Sequence, residues 1–140
     1  MNKKEFLASL KHVYCRLAPT AHGVGIVAIR SIPKGVDPFK NYDPFGDIIE
    51  LPEAELEAYP CDEAAKNMVR DFCALQDGVY LVPDYGIDAI DKSFYLNHSD
   101  NPNMETFDAG ETFVAARDIL PDEELTVDYH AYNQTRRLAL

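Results

Sequence analysis

Three short segments of the sequence contain residue types that could take part in chemistry. The first is Gly23-Val24-Gly25, where missing side chains would let the backbone approach a ligand closely. The second is residues 97–103, Asn-His-Ser-Asp-Asn-Pro-Asn, and the third is residues 124–129, Glu-Leu-Thr-Val-Asp-Tyr. Taken singly, they are more typical of a glycine turn, an Asx-rich turn and an edge strand. Any function must therefore be argued from the three segments together.

The elements predicted around these segments are mostly short strands. Residues 13–32 are rich in β-branched residues and predict two strands joined at a turn around residues 22–25. Apolar residues at helical spacing predict a main helix over residues 62–78, and a shorter helix is predicted over residues 52–59. Further strand-like pieces lie at residues 80–82, 87–89, 94–96, 112–117 and 125–127. The sequence therefore predicts an α+β fold that is mostly β.

Length, composition and charge limit the classes of function. A chain of 140 residues is long enough for one domain, so we expect a single domain over residues 1–140. It has no apolar stretch near the roughly 20 residues that a membrane span requires. Thirteen Lys and Arg residues against 24 Asp and Glu residues give a net charge of −11, which repels nucleic acid. The charge favours a basic protein or peptide partner, with no direct nucleic-acid contact and no membrane.

The cysteines and the first residues indicate the compartment. Cys15, Cys61 and Cys73 form no CxxC pair, so they provide neither a zinc site nor a disulfide framework and are most simply core residues. Lys11 and His12 interrupt the first apolar run, and no cleavage site follows. We expect no secretory signal and a cytoplasmic or nuclear protein.

The three segments, in their order, closely resemble the motifs of the SET-domain protein-lysine methyltransferases. Gly-x-Gly comes first, Asn-His-Ser-x-x-Pro-Asn second and Glu-Leu-Thr-x-Asp-Tyr last, and residues 31–35, Ser-Ile-Pro-Lys-Gly, add a supporting match. The resemblance covers about residues 13–129. It implies a β-clip-like SET domain, in which several short curved sheets surround a knot-like C-terminal crossing, with one main helix.

The resemblance also implies roles for individual residues. Tyr129 corresponds to the catalytic tyrosine at the crossing. Tyr42 is similar to a tyrosine of the lysine channel, although its spacing to the next glycine is two residues longer. Val127 stands where the family usually has Phe or Tyr, and its smaller side chain favours higher methylation states. The residues that would bind S-adenosylmethionine are Gly23, Val24, Gly25, Asn97 and His98.

The chemistry of methyl transfer agrees with such a site. The methyl group of S-adenosylmethionine is already activated, so the protein must mainly hold a neutral amine in line with it. A free lysine has a pKa of about 10.4, and an aromatic channel lowers that pKa by removing water from the ammonium. The expected substrate is a lysine in a basic protein or peptide, histone-like or ribosomal, which an acidic surface attracts.

Some positions depart from the family pattern. Many members have a cysteine at the position of Asp100 that joins a zinc cluster with later cysteines, and none follows here, so we predict no metal. His130, Tyr132 or a partner subunit would have to cover the cofactor. Small members without flanking domains often pair, which favours a homodimer.

Other interpretations remain open. The main alternative is a SET-like module that lost catalysis and binds a peptide or cofactor, because Phe94, Asp100 and Val127 all depart from the pattern. Retention of Tyr129, Asn97 and both glycines of the first motif together favours the enzyme. A hydrolase triad from residues 98–100 is disfavoured because triad members converge from separate places in the chain. A metal site is disfavoured because the spacing of His98 and Asp100 from Asp84, Asp88 or Asp91 matches no known ligand pattern.

Overall fold

Short β-strands dominate the protein, and the computed structural model describes residues 2–39, 47–84, 86–88 and 91–132. Within those residues nine strands form four small sheets, accompanied by three α-helices. The strands are β1 Cys15–Thr20, β2 Gly23–Ala28, β3 Ile48–Pro52, β4 Ala74–Gln76, β5 Val79–Pro83, β6 Asn97–His98, β7 Met104–Glu105, β8 Val114–Ala115 and β9 Thr126–Val127. The helices are α1 Lys3–Ser9, α2 Glu53–Ala58 and α3 Glu63–Phe72, with 3-10 turns at Leu10–His12, Lys92–Tyr95 and Tyr129–Ala131. The expected α+β, mostly β fold is confirmed.

Strands β1 and β2 form an antiparallel hairpin that begins the site. Its register runs from Cys15 opposite Ala28 to Thr20 opposite Gly23. Gly23 has a φ of +95°, a left-handed conformation that favours glycine, so the tight turn depends on it. The predicted hairpin is confirmed, and its inner face packs into the main core.

Two distant motifs meet in the parallel pair β6–β9. Asn97 lies opposite Thr126 and His98 lies opposite Val127. The preceding segment also joins β2, since the amide of Leu125 donates to the carbonyl of Ile26 at 2.8 Å. The final motif is therefore held between β2 and β6, which brings all three segments of the sequence together.

The three-stranded sheet β3-β5-β4 and the helices α2 and α3 form a second, smaller core, and β7 pairs antiparallel with β8 in the fourth sheet. Strand β5 pairs antiparallel with both β3 and β4. Arg70 of α3 reaches Glu57 of α2 at 2.6 Å, which ties the two helices together, and it also contacts Glu63 of its own helix at 2.7 Å. Cys73 and Tyr80 are buried in this core.

Several elements differ from the sequence predictions. Among the described residues of the strand predicted at 87–89, residues 87 and 88 form a bend and a turn. The main helix ends at Phe72, not near residue 78, because residues 74–76 pair with β5. Residues 92–95 form a 3-10 turn where a strand was predicted at 94–96, because the Asp91 side chain accepts from the amide of Ser93 at 2.8 Å. Helix α1 was not predicted, and its N-terminus is capped by Asn2.

The cysteine prediction is partly wrong. Cys15 and Cys73 are buried, but Cys61 is exposed because it lies in the short connection between α2 and α3. None of the helices in the described part of the chain combines the length and apolar character that crossing a bilayer requires.

Candidate functional site

Tyr129 is a buried tyrosine whose hydroxyl reaches the β6 segment. Only 7% of its surface is exposed, and its Oη donates to the carbonyl oxygen of Leu96 at 2.6 Å. Burial, with a smaller contribution from the negative charge of Glu124, raises the pKa of this hydroxyl to about 12. The hydroxyl therefore stays protonated at neutral pH, beside a carbonyl oxygen.

His98 fixes the backbone of Tyr129. Its Nδ1 accepts a hydrogen bond from the Tyr129 amide at 3.0 Å, so the ring proton belongs on Nε2. Nε2 lies 2.9 Å from Asp100 Oδ1 and can donate to it. The exposed Asp100, where many family members have cysteine, thus supports the tautomer that holds Tyr129 in place.

Asn97 connects the glycine hairpin to the final motif. Its Nδ2 donates to Glu124 Oε2 at 2.8 Å and to the Val24 carbonyl at 3.3 Å, with Thr20 Oγ1 at 3.5 Å. Glu124 Oε1 in turn lies 3.4 Å from His22 Nδ1. One amide therefore joins β2, β6 and the segment before β9.

The two glycines of the first motif serve different purposes. A Cβ on Gly23 would meet nothing within 4 Å, so its backbone faces open space. A Cβ on Gly25 would lie 2.7 Å from Asn97 Nδ2, Glu124 Oε2 and Thr20 Cγ2. Gly25 is thus needed for close packing inside the protein, and its contact with a cofactor stays a prediction.

The two predicted channel residues have different outcomes. Val127 is 1% exposed and belongs to the same core as Tyr129. Tyr42 lies outside the described residues, so its position is not stated. Their roles in a lysine channel stay predictions.

A second group of aromatic rings lies next to Tyr129. The ring of Tyr132 meets those of Phe113 at 5.2 Å and Tyr129 at 6.3 Å, both nearly perpendicular. Gly110 makes room for it, since a Cβ there would lie 2.6 Å from Tyr132 Cδ2. Burial raises the pKa of Tyr132 strongly, so this hydroxyl is also protonated.

The motifs and their meeting point correspond to a known family. The family model of the SET domain matches residues 23–130. The chain belongs to the SET-domain family. A solved Plasmodium falciparum structure named "putative histone methyltransferase" is similar, with 21% sequence identity, a TM-score of 0.47 and coverage of 83% of this chain and 92% of that one. No curated protein matches the chain.

One cluster in the SET domain has the residue types of a metal site. His98, Asp128 and His130 each offer a ligand atom, and these atoms lie within 4.8 Å of one another. However, both nitrogens of His98 already have hydrogen-bond partners, and Asp128 Oδ1 accepts from the His130 amide at 2.9 Å. A metal on His98 would have to displace either the bond from the Tyr129 amide or the contact with Asp100. We assign none, and the absence of a metal stays a prediction.

The sequence motifs did not predict two contacts within the candidate site. One is the contact of the Tyr129 hydroxyl with the backbone carbonyl of Leu96. The side chain of Leu96 gives no sign of this contact, because it depends only on where the backbone lies. The other is the contact of Glu124, which stands at the start of the third motif, with Asn97, 27 residues earlier. The motif indicated that Glu124 is near the site, but the contact depends on the pairing of β6 with β9.

Proposed function

We propose that this SET domain transfers methyl groups from S-adenosylmethionine to the side-chain amine of lysine in a basic protein. The observation that carries the proposal is the buried contact between the Tyr129 hydroxyl and the Leu96 carbonyl, directly beside Asn97. The contact holds two oxygen atoms in fixed positions, and the buried setting keeps water away from them. The family membership supports the same activity.

The residues present fit S-adenosylmethionine. Gly23 offers a backbone that faces open space, and Asn97 and His98 lie at the other side of the hairpin, next to Val24. The side-chain oxygen of Asn97 takes part in none of the hydrogen bonds found among the described residues, so it can accept one from a ligand. Bound there, the cofactor would supply an activated methyl group.

The protein's own groups would prepare the amine. The Tyr129 hydroxyl donates to Leu96, which leaves oxygen lone pairs of both groups available to orient an amine and to receive polarised methyl C–H contacts. Burial removes water from the lysine ammonium and favours loss of its proton to solvent. Val127 and Tyr42 would line the channel, and the small valine favours addition of more than one methyl group.

The proposed substrate is a lysine in a basic tail of a histone-like or ribosomal protein. The net charge of −11 supports this choice, because it raises the encounter rate with cationic segments. We further propose a homodimer and a cytoplasmic or nuclear location, both on the resemblance and composition alone. Light scattering of the purified protein tests the dimer.

The test of function is transfer of labelled methyl from S-adenosylmethionine into histones, ribosomal proteins and basic lysate proteins, followed by methyl-lysine analysis. We expect Tyr129→Phe to lower turnover by about 100-fold or more, as for loss of one oriented hydroxyl at a transition state, while cofactor binding persists. Tyr59→Phe is the matched control, because Tyr59 is 63% exposed and lies on the surface. Cofactor binding without any label in the wild type would favour the binding-only module instead.

A further inference from the structure

Glu124 is a carboxylate that contacts the proposed cofactor site without being part of it. Its Oε2 accepts from Asn97 Nδ2 at 2.8 Å, and its side chain is 21% exposed. Its backbone is also held, since the Asn103 side chain donates to the Glu124 carbonyl at 2.8 Å. The carboxylate is therefore fixed against the Asn97 amide.

The partners of Asn97 Nδ2 determine which way its amide points. The Glu124 carboxylate and the Val24 carbonyl can only accept hydrogen bonds. Thr20 gives its hydroxyl proton to the Gly23 carbonyl at 2.9 Å, so its oxygen also faces Nδ2 as an acceptor. Rotating the amide by 180° would place oxygen against three oxygens. The nitrogen is thus held inward, and Oδ1 is left without a hydrogen bond among the described residues.

Gly25 provides the space for this arrangement. Any side chain at that position would collide with the Asn97 amide, the Glu124 carboxylate and the Thr20 methyl group, each 2.7 Å from an added Cβ. The second glycine of the first motif, the asparagine of the second and the glutamate of the third therefore form one packed unit.

We infer that Glu124 is a positioning residue for cofactor binding. By accepting from Nδ2, it keeps Asn97 Oδ1 directed at the ligand, where it accepts a hydrogen bond from a donor group of S-adenosylmethionine. Glu124 itself does not touch the cofactor. This inference rests on the proposed function, because it takes Asn97 as a cofactor-binding residue.

The first experiment measures binding of S-adenosylhomocysteine, the product form, by calorimetry. Glu124→Ala removes the acceptor, and Glu124→Met removes it while filling the same space. We expect both to weaken binding by about tenfold or more, the range for losing a hydrogen bond to a charged group. Glu124→Gln keeps an oxygen that Asn97 Nδ2 can use, so its affinity should stay within about threefold of wild type. Equal loss in the Gln and Met variants would overturn the inference.

Glu123→Ala is the matched control. Glu123 is the neighbouring glutamate, but its carboxylate contacts Arg117 and the Leu120 amide, not Asn97. It should bind S-adenosylhomocysteine like the wild type, and thermal unfolding of every variant separates folding loss from binding loss.

A double-mutant cycle distinguishes positioning from general support of the fold. If Glu124 acts through Asn97, then Glu124→Met should cause no further loss of affinity in an Asn97→Ala background. Additive losses would show that Glu124 acts independently, which contradicts the inference. Failure of the proposed function is seen separately in the wild-type protein. If it does not bind S-adenosylhomocysteine, the cofactor site is absent; if it binds but transfers no methyl group, the site is present and only the activity is absent.

Discussion

At the scale of single residues, the site depends on groups held by backbone hydrogen bonds. Tyr129 is fixed at both ends, by His98 at its amide and by Leu96 at its hydroxyl. The motifs were sufficient to predict Tyr129, Asn97 and His98 as candidates. They could not predict which atoms meet, because those contacts depend on a parallel pairing between segments about 30 residues apart.

The raised pKa of Tyr129 leads to a prediction about pH. Its folded value of about 12 lies above the ordinary value near 10, so the neutral hydroxyl is favoured. The neutral Tyr129 hydroxyl therefore contributes to the free energy of unfolding. This contribution is fully present below about pH 10 and is lost as the pH rises through about 12. Tyr129 should therefore remain protonated in any normal assay.

The pH dependence of activity should then report the substrate lysine. A lysine pKa of about 10.4 predicts that log kcat/KM rises with a slope near one between about pH 7 and 9. Steady-state kinetics with a basic peptide measures it. A falling limb near pH 9 would contradict a protonated Tyr129 hydroxyl.

His98 gives a prediction about stability. His98→Ala leaves the partly buried Tyr129 amide without an acceptor, which should lower the free energy of unfolding by about 1–3 kcal/mol. His98→Asn, whose side-chain oxygen can replace Nδ1, should recover part of the loss. Urea unfolding measures both, and His12→Ala, at an exposed position outside the site, serves as the control. Equal stability of the Ala and Asn variants would contradict the role assigned to Nδ1.

At the scale of elements, the site is formed by the β1–β2 hairpin and the β6–β9 pair. The hairpin could be predicted because its β-branched residues and glycine turn are local signals. The end of α3 and the 3-10 turn at 92–95 could not, because sheet pairing with β5 and capping by Asp91 decided them. Two-residue strands such as β6 and β9 exist only through their tertiary contacts.

Gly25 provides the test at this scale. Gly25→Ala would force Asn97, Glu124 and Thr20 apart, so we expect a loss of about 1–3 kcal/mol of stability, as for overpacking. Affinity for S-adenosylhomocysteine should fall as well. Arg16→Ala, at an exposed position of β1, should change the stability by no more than about 0.5 kcal/mol. An Ala variant as stable as wild type would mean that the Asn97–Glu124 unit is looser than its packing indicates.

At the scale of the whole molecule, the site and the helices belong to different cores. Tyr129, Val127 and Leu96 share the main core, whereas α2 and α3 cover the smaller one around Cys73. The net charge is a property of the whole molecule. An excess of 11 negative charges creates an electrostatic field that acts on a charged substrate before any contact forms. Composition alone was enough to predict this property.

The charge predicts how substrate binding depends on salt. Long-range attraction is screened as the Debye length falls from about 10 Å at 0.1 M salt to about 3 Å at 1 M. We therefore expect KM for a peptide with Lys and Arg around its target lysine to rise several-fold between about 50 and 300 mM NaCl. The matched control is the same peptide with the flanking basic residues replaced by Gln. At low salt, the KM for this control peptide should be higher than that for the basic peptide, and it should be nearly independent of salt. Affinity for S-adenosylhomocysteine, which has no net charge, should stay within about twofold, because the attraction and repulsion of its two opposite charges largely cancel at long range. If both peptides respond alike, the acidic surface does not select basic substrates, and recognition must come from contacts close to the lysine itself.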